Sequence, residues 1–351
     1  MGLDAVEWTG NDAGMMKETM RAMVLRDFGA PDVFGERVLP VPVPGPGEVL
    51  VRVRASSVNP VDGKIRSGML RAIAPPDPVV LGCDVAGEVV ACGAGVGTFR
   101  AGDAVYGCAG GVKGLPGALA EYMVADAALL APKPAELDWE EAAALPLVTI
   151  TAWEGLIDRA GVREGQRVLI HAGAGGVGHV AIQLAAARGA QVWTTVSGAR
   201  KAELAKSLAD VRTIDYRSDA VEDYVQSETG GEGFGIVMDT VGGENVGRSL
   251  AAAAVSGTVV SISTRTAVDL SPMHAKGLTL HVVFMLLNML HGRGRERHGQ
   301  ILREAGQLVA AGKLRPLLDA RRFGFGEVAA AHAYLESGAA EGKIVLTGFA
   351  D

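Results

Sequence analysis

The stretch from Arg167 to Ala190, RVLIHAGAGGVGHVAIQLAAARGA, constrains this chain more than any other. An apolar run, Val168 to Ile170, leads into Gly173-Ala174-Gly175-Gly176-Val177-Gly178, which fills a G-x-G-x-x-G pattern. A helical run from Val177 to Arg188 leads out, and a second strand, Gln191 to Val196, follows. In a chain with 48 glycines the pattern alone says little, and its strand–loop–helix–strand setting supplies the meaning. Gly173 permits a tight turn, Gly175 lets backbone approach an anion, and Gly178 lets the helix pack on the strand. The helix start adds free N–H groups and the positive end of a dipole. The loop therefore predicts a pyrophosphate site. The alternative is a tight turn with no ligand.

The alternation continues downstream: ARKAELAKSLA (helix), VRTIDY (strand), AVEDYVQSETG (helix), FGIVMDTVG (strand), NVGRSLAAAAVSG (helix), TVVSIS (strand). Short strands separated by helices predict an α/β fold with a doubly wound parallel sheet. The first part of the chain, from Arg21 in RAMVLRDFG to about residue 145, has another texture. EVLVRVRASSV (48–58), DVAGEVVACG (84–93) and DAVYGC (103–108) read as antiparallel strands between turns. The prolines of VPVPGPGE keep residues 41–48 out of any central ladder. Beyond Thr279, LTLHVVFMLLN reads as an apolar strand and RERHGQILREAGQLVAAG as a helix. EVAAAHAYLESGAAEGKIVLT reads as a helix, a turn and a final strand.

Composition excludes several classes. A net charge of −7 argues against nucleic acid as a partner, because phosphate backbones need a basic surface. No run of about 18 apolar residues offers a membrane span. The N-terminus lacks the basic and apolar regions of a secretion signal. The three cysteines, Cys83, Cys92 and Cys108, form no C-x-x-C pair, which suits a reducing, cytoplasmic compartment.

The nucleotide is read further on. An acid about 20 residues past such a loop binds the ribose 2′-hydroxyl of NAD. Here Ser197 holds that place, no acid lies between Gln191 and Ala202, and Arg200 and Lys201 follow. A hydroxyl and two cations attract a 2′-phosphate, so NADPH is the expected cofactor. Otherwise the two cations are a solvated first helical turn, a placement the helix dipole disfavours.

With GCDVAGEVVACGAGV and the terminal GKIVL, the order of these segments resembles the medium-chain dehydrogenase/reductase superfamily. Within it the chain is most similar to the zinc-free quinone oxidoreductase branch, from about Arg21 to Thr347. The resemblance implies a GroES-like β-rich catalytic domain built from residues 21–145 and 291–351. It also implies a Rossmann domain over 146–290 and a flexible extension over 1–20. The nicotinamide would lie in the cleft between the two domains. It further implies a homodimer or tetramer, with LTLHVVFM pairing across the dimer. Zinc-dependent relatives carry a Gly-His-Glu motif, which here reads Gly82-Cys83-Asp84, and Asn59 stands where they have an early cysteine. Cys83 then reads as a small buried hydrophobe, and no metal is expected. Without a Lewis acid, the acceptor must delocalise charge itself, as a quinone or an α,β-unsaturated carbonyl (enone or enal) does.

In VNPVDGKIRSG the same resemblance assigns Asn59 and Asp62 to the polar positions over the nicotinamide. Lys64 stands where many relatives have a tyrosine. A lysine there could donate to an enone oxygen, bind the cofactor, or sit exposed on the surface. The resemblance also assigns Thr151 to the nicotinamide, Tyr216 to the 2′-phosphate, and Thr240, Val241 and Ser263 to the crevice. Phe284 is assigned to the strand facing the carboxamide, and Lys343 to the pyrophosphate. Two rivals stay open: a zinc-type alcohol dehydrogenase, and an NADPH-binding protein with little turnover.

Overall fold

Alternation of apolar residues between prolines and glycines builds the first half of the chain. A computed structural model describes residues 18–349. A hairpin of β1 (Thr19–Leu25) and β2 (Phe34–Pro40) opens it. Strand β3 (Glu48–Ser57) runs into helix α1 (Pro60–Arg66), followed by β4 (Asp84–Cys92), β5 (Ala104–Cys108), β6 (Tyr122–Asp126) and β7 (Leu130–Pro132). Helices α2 (Trp139–Ala144) and α3 (Pro146–Trp153) carry the chain across.

The second lobe alternates as expected: β8 (Arg167–Ile170), α4 (Gly178–Ala187), β9 (Gln191–Val196), α5 (Ala199–Leu208), β10 (Arg212–Asp215) and α6 (Val221–Thr229). Then come β11 (Phe234–Asp239), α7 (Asn245–Ala252), β12 (Ala253–Ser261), α8 (Ser271–Lys276) and β13 (Thr279–Val282). The chain returns through α9 (Leu287–His291), α10 (Arg295–Ala310), β14 (Leu318–Gly324), α11 (Val328–Glu336) and β15 (Lys343–Thr347).

Two main sheets result. One is six-stranded and parallel, in the order β10-β9-β8-β11-β12-β13. The order reverses between β8 and β11, and in such sheets a ligand binds outside the carboxyl ends at that point. The other runs β14-β15-β3-β4-β5-β7, with β6 also on β3. Because β15 pairs with β3, the last strand of the chain completes the first lobe's sheet. One apolar core runs through both lobes, and a smaller one around Trp193, Tyr224 and Phe234 packs elsewhere on the parallel sheet.

Three element boundaries correct the sequence reading. The first strand starts at Thr19 rather than Arg21, and buried Met20 belongs to it; residues 1–17 of the expected extension lie outside the described residues. The alanine run after Asn245 stays helical only to Ala252, because Ala253 already pairs with Phe234 of β11. The strand expected over LTLHVVFMLLN stops at Val282. It is an edge with a four-residue partner on β12, and beyond it Met285 and Met289 turn inward at helical spacing. No helix among the described residues is long and apolar enough to cross a membrane.

Candidate active site

The glycine loop sits at the end of β8, at the reversal point. Its glycines divide into two kinds. A Cβ on Gly173 would lie 2.2 Å from Thr194 Oγ1, and one on Gly178 would lie 2.0 Å from the Ala172 carbonyl oxygen. Both positions are demanded by the packing of strand against helix. Gly175 and Gly176 are less hemmed in: their nearest neighbours would be 3.1 Å and 3.8 Å away. A Cβ on Gly175 would still crowd the Ala172 carbonyl, whereas one on Gly176 would make only ordinary contacts. Ala172 holds φ +56, an unusual conformation for alanine, and its N–H donates to Thr195 Oγ1 at 3.0 Å. Val177 precedes α4, whose N-terminus follows the loop. His179 packs beneath it: its Nδ1 lies 3.1 Å from the Gly175 carbonyl, and burial holds the ring down at about 4, hence neutral.

At the carboxyl ends of β9 and β10, Ser197 and Tyr216 are neighbours, since the Tyr216 N–H donates to the Val196 carbonyl at 3.3 Å. Arg200 and Lys201 stand on the first turn of α5. Arg200 is not free. It grips Glu341 with both Nε and a terminal nitrogen, at 2.8 to 3.0 Å. Of these residues Tyr216 borders a cavity of about 400 Å³, together with His171, Thr195, Arg217, Tyr224 and Arg248. Arg217 and Arg248 add cationic groups that the sequence reading did not single out. The signal for Arg217 was present, one residue beyond Tyr216 in IDYR, whereas Arg248 arrives from α7 only through the fold. His171 is buried, its Nδ1 3.2 Å from Thr195 Oγ1, and its Nε2 has no hydrogen-bond partner among the described residues. Burial lowers it to about 4.

Behind β11, buried Asp239 shapes the turn that follows. Its Oδ1 accepts from the N–H groups of Val241 and Gly242 and from Asn245 Nδ2, and its Oδ2 from Ser261 Oγ. Thr240 uses its hydroxyl to bridge to the His171 carbonyl at 2.6 Å. Val241 is more than half exposed, and Ser263 lies against Gly242, where a Cβ would come within 2.4 Å of it. Phe284 is partly exposed and lies two residues past the end of β13, not on the strand.

The loop from β3 into α1 contains the other candidates. Asn59 caps α1, and its N–H donates to Asp62 Oδ2 at 2.8 Å in a capping box. Both residues are buried. Asp84 is the hub of this cluster. It accepts from Ser57 Oγ at 2.7 Å, from Asn59 Nδ2 at 2.8 Å, and from the N–H of Leu147 at the start of α3 at 2.8 Å. The Lys343 ammonium, also buried, lies 3.6 Å from Asp84 and donates to Asn59 Oδ1 and to the Val58 carbonyl. Lys343 therefore meets this network, with only its stem near Gly176. Asp62 is pushed up to about 6, chiefly by burial. Thr151 is buried on α3 and donates back to the Leu147 carbonyl at 2.7 Å. Lys64 is half-buried in the last turn of α1, with no carboxylate partner among the described residues.

Residues 45–135 match the model of the alcohol dehydrogenase GroES-like domain, and residues 209–346 match that of the zinc-binding dehydrogenases. A 2-methylene-furan-3-one reductase of Solanum lycopersicum is 35% identical over 93% of this chain and 79% of its own length. An NADPH-dependent alkenal/one oxidoreductase, chloroplastic, of Arabidopsis thaliana is 34% identical over 95% of this chain and 81% of its own. The crystal structure of an alcohol dehydrogenase superfamily protein from Novosphingobium aromaticivorans superposes with a TM-score of 0.89. It is 46% identical and covers 93% of this chain and 99% of its own.

The zinc implied by one of those family descriptions does not fit the donors here. Hydrogen bonding to Cys108, and then burial, push the Cys83 thiol well above its ordinary range, while its Sγ lies 3.4 Å from Asp62 Oδ1. A metal needs the thiolate. Three donors already occupy the Asp84 oxygens and the Lys343 ammonium lies 3.6 Å away, and no group of three or more His, Cys, Asp or Glu among the described residues is arranged around a common point. The nicotinamide nucleotide does fit: a glycine loop at the sheet's reversal point, a turn bearing Arg200 and Lys201, and a cavity of about 400 Å³ all lie at the carboxyl ends of the strands.

Proposed function

The chain belongs to the medium-chain dehydrogenase/reductase superfamily, and on that premise we propose that it is a zinc-independent, NADPH-dependent oxidoreductase acting on quinones or α,β-unsaturated carbonyls. The observation that carries this reading is the buried network of Asp84, Asn59 and Lys343. Asn59, which stands where zinc-dependent relatives have a ligand cysteine, is already engaged by Asp84 and by the Lys343 ammonium. The acceptor must then carry its own developing charge, as conjugated carbonyls and quinones do. The names of the two plant relatives, one an enone reductase and one an alkenal/one oxidoreductase, favour the same class.

Bound NADPH supplies the hydride from its nicotinamide ring. The residues divide the remaining work. The amides after Gly173, Gly175 and Gly176 hold the pyrophosphate at the start of α4. Ser197, Arg200, Lys201 and Tyr216 read the 2′-phosphate, with Arg217 beside them. Thr151, Thr240, Val241, Ser263 and Phe284 border the nicotinamide end of the crevice. Asn59, Asp62 and Lys343 hold α1 in position, and Lys64 on that helix donates to the substrate oxygen as negative charge develops there. The molecule works as a cytoplasmic homodimer, with the β13 edge, its exposed Val282, and the exposed Phe284 and Leu287 just beyond it as the contact.

The test is NADPH oxidation with 9,10-phenanthrenequinone and with a simple enone, each against a no-enzyme blank. Both are expected to turn over. K64M should lower kcat for the enone by roughly 10²-fold, the scale of one lost oxyanion donor, with NADPH affinity unchanged. NADPH bound with no turnover of any acceptor would establish the binding-protein reading instead. About one zinc per chain by metal analysis would establish the metal-dependent one.

A further inference from the structure

The contact between Arg200 and Glu341 joins the two lobes at the point where the cofactor is read. Arg200 stands on the first turn of α5 in the parallel-sheet lobe. Glu341 lies just before β15, which belongs to the other sheet. Three hydrogen bonds of 2.8 to 3.0 Å connect the guanidinium fork to the carboxylate.

Glu341 is delivered there by anchored backbone. Its N–H donates to Asp319 Oδ2 at 2.8 Å, and Asp319 is buried and also accepts from Tyr334. The next residue, Gly342, donates to the carbonyl of Ala174 in the glycine loop at 3.2 Å. Gly342 has φ +77, and a Cβ there would meet the Leu317 carbonyl at 2.2 Å. The segment is therefore tied both to its own lobe and to the phosphate loop. The ion pair it presents is solvent-accessible, with the Arg200 side chain 74% exposed. Such a pair contributes little and exchanges readily.

The planar fork of arginine accepts a carboxylate or a phosphate in the same bidentate geometry. A phosphate monoester carries more charge than a carboxylate near neutral pH. We propose that Glu341 is a specificity-determining residue, an internal stand-in for the 2′-phosphate: it holds the Arg200 fork until NADPH displaces it, whereas NADH leaves the pair intact. Glu341 thus lowers NADPH affinity selectively, and arrival of the 2′-phosphate releases one of the contacts between the lobes. This rests on the reading that Arg200 binds the 2′-phosphate of NADPH.

Equilibrium titration of NADPH, NADH and 2′,5′-ADP, followed by fluorescence or calorimetry and not by turnover, tests it. In E341Q the Kd for NADPH and for 2′,5′-ADP should fall by about two- to fivefold, the range expected on removing an exposed ion pair, while the Kd for NADH stays put. E341A should move in the same direction, which covers a folding defect in either variant. In the R200M background E341Q should do nothing. Unchanged or weaker NADPH binding in E341Q and E341A, or an equal shift for both cofactors, overturns the proposal if R200M still loses the preference for NADPH. If R200M keeps that preference, the assignment of Arg200 has failed, and the role of Glu341 fails with it.

Discussion

Asp62 combines two residue-scale roles that pull against each other. It completes the capping box of α1 through Asn59, and it is buried beside Cys83 and Asp84. Burial raises it from 3.8 to about 6, so the folded protein favours the protonated carboxyl. The stability this contributes is complete below the unfolded value of 3.8 and is lost as pH rises through about 6. D62N keeps an acceptor for the Asn59 N–H and has no proton to lose. Its melting temperature relative to the natural protein is expected to climb by several degrees from pH 4 to pH 7, for a ceiling of about 3 kcal/mol. A difference that stays flat over that range would mean Asp62 is not titrating there. The spacing of Asn59, Asp62 and Lys64 was legible in the sequence as one polar loop. What the sequence did not display is that two of the three face inward, because the residues they meet, Asp84 and Lys343 for Asn59 and Cys83 for Asp62, are distant along the chain.

At the scale of elements, periodicity marks the alternation of the parallel lobe and the strands β3 to β5 of the other, but not β2, α1, α8 or β14, and its errors have physical causes. Alanine favours helix, yet Ala253 pairs with Phe234 in a parallel ladder, so local propensity lost to a tertiary contact. Val283 to Asn288 reads as continued strand because apolar residues are dense there. Only pairing partners decide where a strand ends, and β12 offers four. That short edge leaves Val282 and Phe284 exposed. If it is the dimer contact, V282E combined with F284E should elute as a monomer in size-exclusion chromatography with light scattering, against a dimeric natural protein. A monomeric natural protein, or a dimeric double variant, would place the contact elsewhere.

At the scale of the whole molecule, Asp84 is a junction that ties β3, the start of α1 and the buried Lys343 of the last strand to the start of α3, the helix that carries the chain across to the second lobe. Removing the carboxylate leaves a buried ammonium without its charge partner. D84A should destabilise by about 3–5 kcal/mol in chemical denaturation, and D84A with K343M should recover part of that. A loss under about 1 kcal/mol would mean the pair is incidental to the junction. The alternating lobe, the glycine loop and the serine in place of an acid at position 197 are legible from the amino acids alone, because each is a local pattern within a short run of chain. The packing of the lobes brings Glu341 to Arg200, Lys343 to Asn59 and Asp84, and Arg248 to the edge of the cavity beside Tyr216. These are contacts between segments distant along the chain. Their partners are chosen by how the two sheets pack, and no local spacing records that.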